Sequence, residues 1–214
     1  MLFLTLFILR LIFRLFYHVH VYGTEHIYQK GAIIAPNHNS FLDPPLIGIT
    51  WPQKTHYLAR ATLFKNFFVR KLLLSLKAFP VHGSGQDINS LKIVAQLLKQ
   101  DKKVVIFPEG VRSLDGSIQN IKTGVSMLAF RTGCPIIPVY IHGTFETWSR
   151  HRKWPKIGST LACVYGEPIF PETYSHLNKK DAREAMTKEL QRSIQHLAVW
   201  YLNQNKTKTG NLSD

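Results

Sequence analysis

The run Asn37-His38-Asn39-Ser40-Phe41-Leu42-Asp43 sets an imidazole and a carboxylate a short, fixed distance apart. A neutral imidazole can take a proton from an alcohol near neutral pH, and a nearby carboxylate can fix its tautomer and stabilise the cation that forms. The same spacing suits a structural loop whose aspartate caps a helix, so the pair alone does not decide. A second run, Pro108-Glu109-Gly110-Val111-Arg112-Ser113, brings together an acid, a glycine turn and a guanidinium. Arg112 offers a planar fork of donors matched to phosphate oxygens, and Gly110 lets the backbone approach a ligand closely. A local Glu109–Arg112 ion pair across the turn is the alternative.

Both runs need elements to hold them. Gly31 to Pro36 is apolar and predicts a buried strand, and Asp43-Pro44-Pro45 opens the next element, so His38 falls on the connecting loop, where catalytic groups often sit. Lys102 to Phe107 predicts a second strand that feeds the Glu109 turn. Further strands are expected near 56–60, 78–82, 135–141 and 159–165, with helices near 87–100, 119–132 and 181–202. This alternation predicts an α/β fold, a single layered domain with a mixed, mostly parallel central sheet flanked by helices. In the last helix Met186, Leu190, Ile194, Leu197 and Tyr201 recur at three- and four-residue steps and read as a core-facing stripe.

The two runs in this order, followed by Ile137-Pro138-Val139, resemble the glycerolipid acyltransferase family typified by bacterial 1-acylglycerol-3-phosphate acyltransferases. The resemblance covers roughly residues 20 to 170, and ordered blocks are more specific together than singly. It implies that His38 and Asp43 are the catalytic pair. It implies that Glu109, Gly110, Arg112 and Ser113 hold the phosphate and glycerol of the acceptor, with Val111 where threonine is usual, and that Lys122 and Gly124 match a following lysine and glycine. The block between departs from the family: Ala78-Phe79-Pro80-Val81-His82-Gly83 lacks the arginine that helps to bind glycerol phosphate, and His82 stands near its place. Arg60 lies where many members carry a lysine implicated in phosphate binding, so it can supply part of the missing charge. An ordinary solvated strand end is the alternative for Arg60.

Composition suits one membrane-associated enzyme domain: 214 residues, 45% hydrophobic and 12% aromatic, leave room for a sizeable core and argue against disorder. The net charge of +14 implies an anionic partner. Cys134 and Cys163 lie in apolar runs and read as core thiols of a reducing compartment. Residues 1–18 are apolar except for Arg10, Arg14 and His18, which follow one another at four-residue intervals along one helical face. Charges in mid-segment fit a bilayer span poorly and fit a membrane-interfacial amphipathic helix well. A short spanning anchor is the alternative. A cleaved secretory signal would want its charges before the apolar run. Residues 63–77 are both greasy and cationic and are expected to lie against lipid or over the acyl site. Trp148 to Lys156 places two tryptophans around four basic residues, suited to the membrane interface or to an anionic acyl donor, with a plain solvated loop as the alternative. The expected organisation is the helix at 1–18, the acyltransferase domain at 19–204 and a polar tail at 205–214.

The expected activity is transfer of a fatty acyl group from acyl-CoA or acyl carrier protein, as co-substrate, to the free sn-2 hydroxyl of 1-acylglycerol 3-phosphate. His38 is the general base, and no acyl-enzyme is needed because no serine or cysteine stands in a nucleophile arrangement. No further cofactor and no metal are expected, since His38 and Asp43 are too few ligands. An anionic membrane surface at the cytoplasmic face is the expected location. An acyltransferase for glycerol 3-phosphate or another lysolipid is the near alternative. The distant one is a non-catalytic binder of anionic lipid or nucleic acid; no nucleic-acid partner is expected, because no recognition helix, zinc spacing or aromatic RNA-binding run is present.

Overall fold

Strand β2 (Ala32–Pro36) is apolar at every position and buried on both faces, the pattern of a central strand in a parallel sheet covered by helices on each side. Its side chains alternate, so Ala32 and Ile34 enter one core while Ile33 and Ala35 enter the other. The computed structural model, which describes residues 2–81 and 88–210, builds a seven-stranded sheet around it. The other strands are β1 (His18–Tyr22), β3 (Thr55–Arg60), β4 (Ala78–Val81), β5 (Lys103–Val105), β6 (Ile136–His142) and β7 (Thr160–Tyr165). The order is β1-β7-β6-β2-β5-β3-β4, with all neighbours parallel except β6 and β7. The expected α/β fold with a mixed, mostly parallel sheet is therefore the fold observed.

Helices α1 (Leu2–Phe16), α2 (Asp43–Thr50) and α3 (Phe67–Ser75) are associated with one face of the sheet. Helices α4 (Ile88–Lys99), α5 (Gly124–Thr132) and α7 (Lys179–Gly210) cover the other. The α7 stripe is core-facing as its spacing predicts: Met186, Leu190, Ile194 and Tyr201 are buried, and Leu197 packs beside Tyr201. That helix continues to Gly210, past the point where the polar composition suggested an end. Two elements are additional to the sequence reading, the edge strand β1 and the short α6 (Thr144–Trp148). Helix α5 starts five residues later than its pattern predicts. The chain before it is held instead by Lys122 N–H donating to the Pro108 carbonyl at 3.0 Å and Ile121 N–H donating to Gln191 Oε1 at 3.0 Å. Cys134 and Cys163 are both buried and unpaired.

Helix α1 turns Phe13 inward, with Leu6 and Leu9 packed beside it, and leaves Phe3, Leu4, Phe7, Ile8, Leu11, Ile12, Leu15 and Phe16 exposed. It touches α3, which exposes Phe67, Val69, Leu72 and Leu74. These two helices together present far more apolar surface than scattered single residues would. Among the described residues no helix is long and apolar enough to cross a membrane.

Candidate active site

The chain leaves β2 through Asn37, whose side chain takes the place of a further strand pairing. Its amide Nδ2 donates to the Ile141 carbonyl at 3.1 Å and its Oδ1 accepts from the Ile141 N–H at 2.7 Å. A buried amide so satisfied fixes the direction in which the loop departs. His38 follows immediately. Its imidazole stacks on Phe107, with ring centroids 3.8 Å apart and planes 22° from parallel. Phe107 lies just past β5, so adjacent strands β2 and β5 set the imidazole's position and its plane.

Asp43 is fully buried at the start of α2, where Pro44 and Pro45 suit the first helical turn. One carboxylate oxygen, Oδ2, accepts from His38 Nδ1 at 2.8 Å, from Asn39 N–H at 2.7 Å and from Ser40 N–H at 2.7 Å. A buried charge is tolerable only when it is hydrogen-bonded in this way. An ionised carboxylate can only accept, so Nδ1 is the donor to it, and a neutral imidazole in that tautomer presents Nε2 as its acceptor. The His38 side chain retains 17% exposure, against none for Asp43. The arrangement is an oriented imidazole able to accept a proton at Nε2, backed by a fixed negative charge. A loop that only capped a helix would not need the stacked ring.

The second run is stitched to the first through the backbone. His38 N–H donates to Glu109 Oε1 at 3.1 Å, and Ser113 N–H donates to the His38 carbonyl at 2.8 Å. Glu109 is only 2% exposed and its Oε2 is buried without a partner. Burial pushes its carboxyl pKa from 4.5 up to about 7, with the nearby Asp43 charge adding to the effect, against hydrogen bonds from the His38 and Gln119 backbones. Glu109 thus ties its turn to the loop that carries His38. Ser113 is also engaged internally. Its hydroxyl donates to Asp115 Oδ1 at 3.0 Å and accepts from Gly116 N–H at 3.0 Å, closing the turn, so it has little capacity left for a ligand. Gly110 has φ +78°, the left-handed region that favours glycine, and a Cβ there would lie 3.0 Å from Lys122 Nζ. The turn therefore brings the Lys122 ammonium over Gly110.

Arg112 forms no ion pair with Glu109. Its guanidinium lies over the Phe41 ring, with Cζ 3.7 Å from the centroid, and its Nη1 is buried without a hydrogen-bond partner. Burial lowers its pKa, the neighbouring charges of Arg150 and Arg60 lower it further, and Asp43 opposes them. Arg60 is exposed at the end of β3. Arg150 belongs to the segment after α6, and that segment is tied to the histidine loop: Ser40 Oγ donates to the Trp148 carbonyl at 2.6 Å, and Phe41 packs on Trp148 with centroids 5.4 Å apart. Arg112 thus sits without a carboxylate partner near enough to Asp43, Arg60 and Arg150 for their charges to act on it. The influence of Arg150 on Arg112 is invisible in its local sequence, where it reads only as one cation of a basic loop. The two tryptophans of that loop part company, Trp148 packing inward while Trp154 is 73% exposed. His82 lies outside the described residues.

Residues 18–142 match the family model described as Acyltransferase. The 1-acyl-sn-glycerol-3-phosphate acyltransferase of Bacillus subtilis (strain 168) is 29% identical over 181 residues, which span 84% of this chain and 87% of that protein. A probable 1-acyl-sn-glycerol-3-phosphate acyltransferase of Mycoplasma pneumoniae is 23% identical over 185 residues, 80% of this chain and 69% of that protein. The crystal structure of the 1-acyl-sn-glycerophosphate (LPA) acyltransferase PlsC from Thermotoga maritima matches with a TM-score of 0.75 at 26% identity, covering 92% of this chain and 79% of that one.

Proposed function

The chain belongs to the acyltransferase family, and from that premise we propose that it acylates the free sn-2 hydroxyl of 1-acylglycerol 3-phosphate to give phosphatidic acid. The observation that carries this reading is a guanidinium without an ion-pair partner, Arg112, in the turn that hydrogen-bonds the loop bearing an imidazole oriented by a buried carboxylate. A phosphate monoester carries close to two negative charges at neutral pH and presents several acceptor oxygens. Arg112, desolvated, seated on Phe41 and with an unpartnered donor, is suited to receive it, with Lys122 over Gly110 and Arg60 and Arg150 adding charge.

In the proposed reaction the acceptor hydroxyl gives its proton to His38 Nε2 as its oxygen attacks the thioester carbonyl of acyl-CoA or acyl carrier protein. Asp43 stabilises the imidazolium that forms. The tetrahedral intermediate collapses by expelling the thiolate, which takes the proton back from His38, so the products are ester and free thiol. No covalent enzyme intermediate is required. The exposed apolar surfaces of α1 and α3 support attachment at a membrane, on the cytoplasmic side where the thioester donors are made.

Acceptor profiling tests the reading. Lysophosphatidic acid should be used well, and glycerol 3-phosphate and uncharged monoacylglycerol poorly. Arg112→Ala should raise the KM for lysophosphatidic acid or lower turnover by an amount equivalent to about 2–5 kcal/mol, the usual cost of losing a desolvated charge contact. Arg150→Ala should act in the same direction more weakly, because it is exposed. Equal use of monoacylglycerol and lysophosphatidic acid would defeat the phosphate assignment.

A further inference from the structure

A second group of cations lies away from the imidazole, where α1 meets the β1 edge of the sheet. A cavity of about 580 Å³ opens there, lined by Arg10 and Arg14 from α1, His18 and His20 from β1, Tyr17 between them and Thr160 at the start of β7. Its volume falls within the range of small-ligand sites. Ile49 of α2 forms part of the wall, and Arg10 Nε reaches its carbonyl at 3.4 Å, so that guanidinium is drawn toward the protein body. No carboxylate lines the cavity. The strand register places it at the functional end of the sheet: His18 pairs with Thr160, and His142 at the end of β6 pairs with Ala162 of β7. Strand β6 runs parallel to β2, whose end carries the His38 loop.

We propose that this cavity is an accessory site for the phosphate of an anionic membrane phospholipid, separate from the acceptor site. Two cations fixed four residues apart on one face of a helix present donors to a single phosphate, and the hydroxyls of Tyr17 and Thr160 offer neutral donors beside them. A phosphate could also arrive free in solution. The lipid source is favoured by what surrounds the cavity: Leu11 and Leu15, the residues following each arginine, are exposed on the adjoining face of α1. A headgroup in the cavity would let its acyl chains run along that face, so one helix would engage both parts of the lipid. The cavity deepens the membrane reading by turning diffuse attraction into a site with defined residues, and it does not depend on the identity of the acyl acceptor.

The test uses the full chain and vesicles of phosphatidylcholine with or without phosphatidic acid. In co-sedimentation the wild type should prefer the doped vesicles. Arg10→Gln with Arg14→Gln should reduce partition onto doped vesicles about thirtyfold, from the contribution typical of two cations at an anionic surface. Binding to neutral vesicles, and turnover on detergent-dispersed lysophosphatidic acid, should remain as in the wild type. Lys188→Gln with Arg192→Gln removes two exposed charges from α7 on the opposite layer and should leave the preference largely intact. Thr160→Glu, an exposed position that sets a carboxylate at the cavity wall, should reproduce the loss if the double variant does not fold. Equal losses from the α1 and α7 pairs would overturn the site in favour of diffuse charge. Inorganic phosphate competing as effectively as short-chain phosphatidic acid would overturn the lipid assignment. Loss of turnover in detergent by the wild type would count against the acyltransferase reading alone.

Discussion

Glu109 gives the most quantitative handle on the site, because its carboxyl is buried against the backbone of His38 and its pKa is pushed up from 4.5 to about 7. The native protein therefore holds this proton more tightly than the unfolded chain does. Stability from this group is fully present below about pH 4.5 and is lost as pH rises through about 7, where the native carboxyl must ionise in place. At about 1.4 kcal/mol for each pH unit of separation, the loss above pH 7.5 is about 3 kcal/mol. Glu109→Gln removes the ionisation and keeps a carbonyl oxygen able to accept the His38 N–H. Relative to wild type, the variant should thus gain about 3 kcal/mol between pH 4.5 and pH 8, or roughly 6–12 °C in Tm for a chain of this size.

Thermal unfolding by circular dichroism across that range measures the effect directly. A Tm difference that stays flat from pH 4.5 to pH 8 would refute the buried-carboxyl argument. The same variant separates two roles for Glu109. As a positioning residue that holds the His38 loop, it should tolerate glutamine with near-normal kcat and KM and should lose kcat on change to alanine, which has no acceptor. A KM for lysophosphatidic acid that rises in Glu109→Gln, with kcat preserved, would instead put the carboxylate on the acceptor.

His38→Ala should lower turnover by ~10²–10⁴, the range general-base assistance commonly supplies, with an unchanged circular dichroism spectrum; normal turnover by the folded variant would remove His38 from the chemistry. Asp43→Asn keeps an oxygen for the Asn39 and Ser40 N–H groups but removes the charge behind the imidazolium, so kcat should fall steeply while the melting curve moves little. Gly110→Ala must hold a side chain at φ +78° and crowd Lys122 Nζ, so it should cost about 1–2 kcal/mol in urea unfolding and should raise the KM for lysophosphatidic acid as the lysine is displaced. An unchanged KM in that variant would detach Lys122 from the acceptor.

The parts of the molecule legible in the sequence are those whose signal is local. Ala32 to Pro36 and Ile136 to Ile141 announce buried strands because both faces are apolar, and the α7 stripe announces a core helix through its period. Strand β1 was missed because His18-Val19-His20-Val21-Tyr22 is an edge strand, three of whose five residues are exposed, so its polar alternation looks like a linker. The start of α5 was misplaced because Gln191 and the Pro108 carbonyl capture the preceding backbone, a tertiary competition that periodicity does not contain. Within the site, His38 and Asp43 are close in sequence and were found together. The link between the Arg150 segment and the histidine loop is not legible, because it depends on a hydrogen bond from Ser40 to Trp148 across 108 positions. The inward hydrogen bonds of Glu109 and Ser113 are likewise hidden, since nothing in an acid-glycine turn reveals that its acceptors meet backbone N–H groups.

The charge of +14 can now be divided by what it does. Among the described residues, the ion pairs within 4.0 Å are His26 with Glu25 and His38 with Asp43, so no lysine or arginine is paired with a carboxylate. Several of the acids are occupied elsewhere: Asp43 holds the imidazole, Glu109 and Asp101 accept from backbone N–H groups of His38 and Gly31, and Asp115 closes a turn. Cations that have no carboxylate partner add a repulsion that destabilises the compact state. Fold stability therefore does not explain the excess. Cations without a carboxylate, as Arg112 is near Asp43 and as Arg10 and Arg14 are at the α1 cavity, lower that repulsion when an external anion arrives. Binding of a phosphate at either place should consequently stabilise the protein as well as orient the ligand, which links occupancy of the lipid surface to the stability of the enzyme on it.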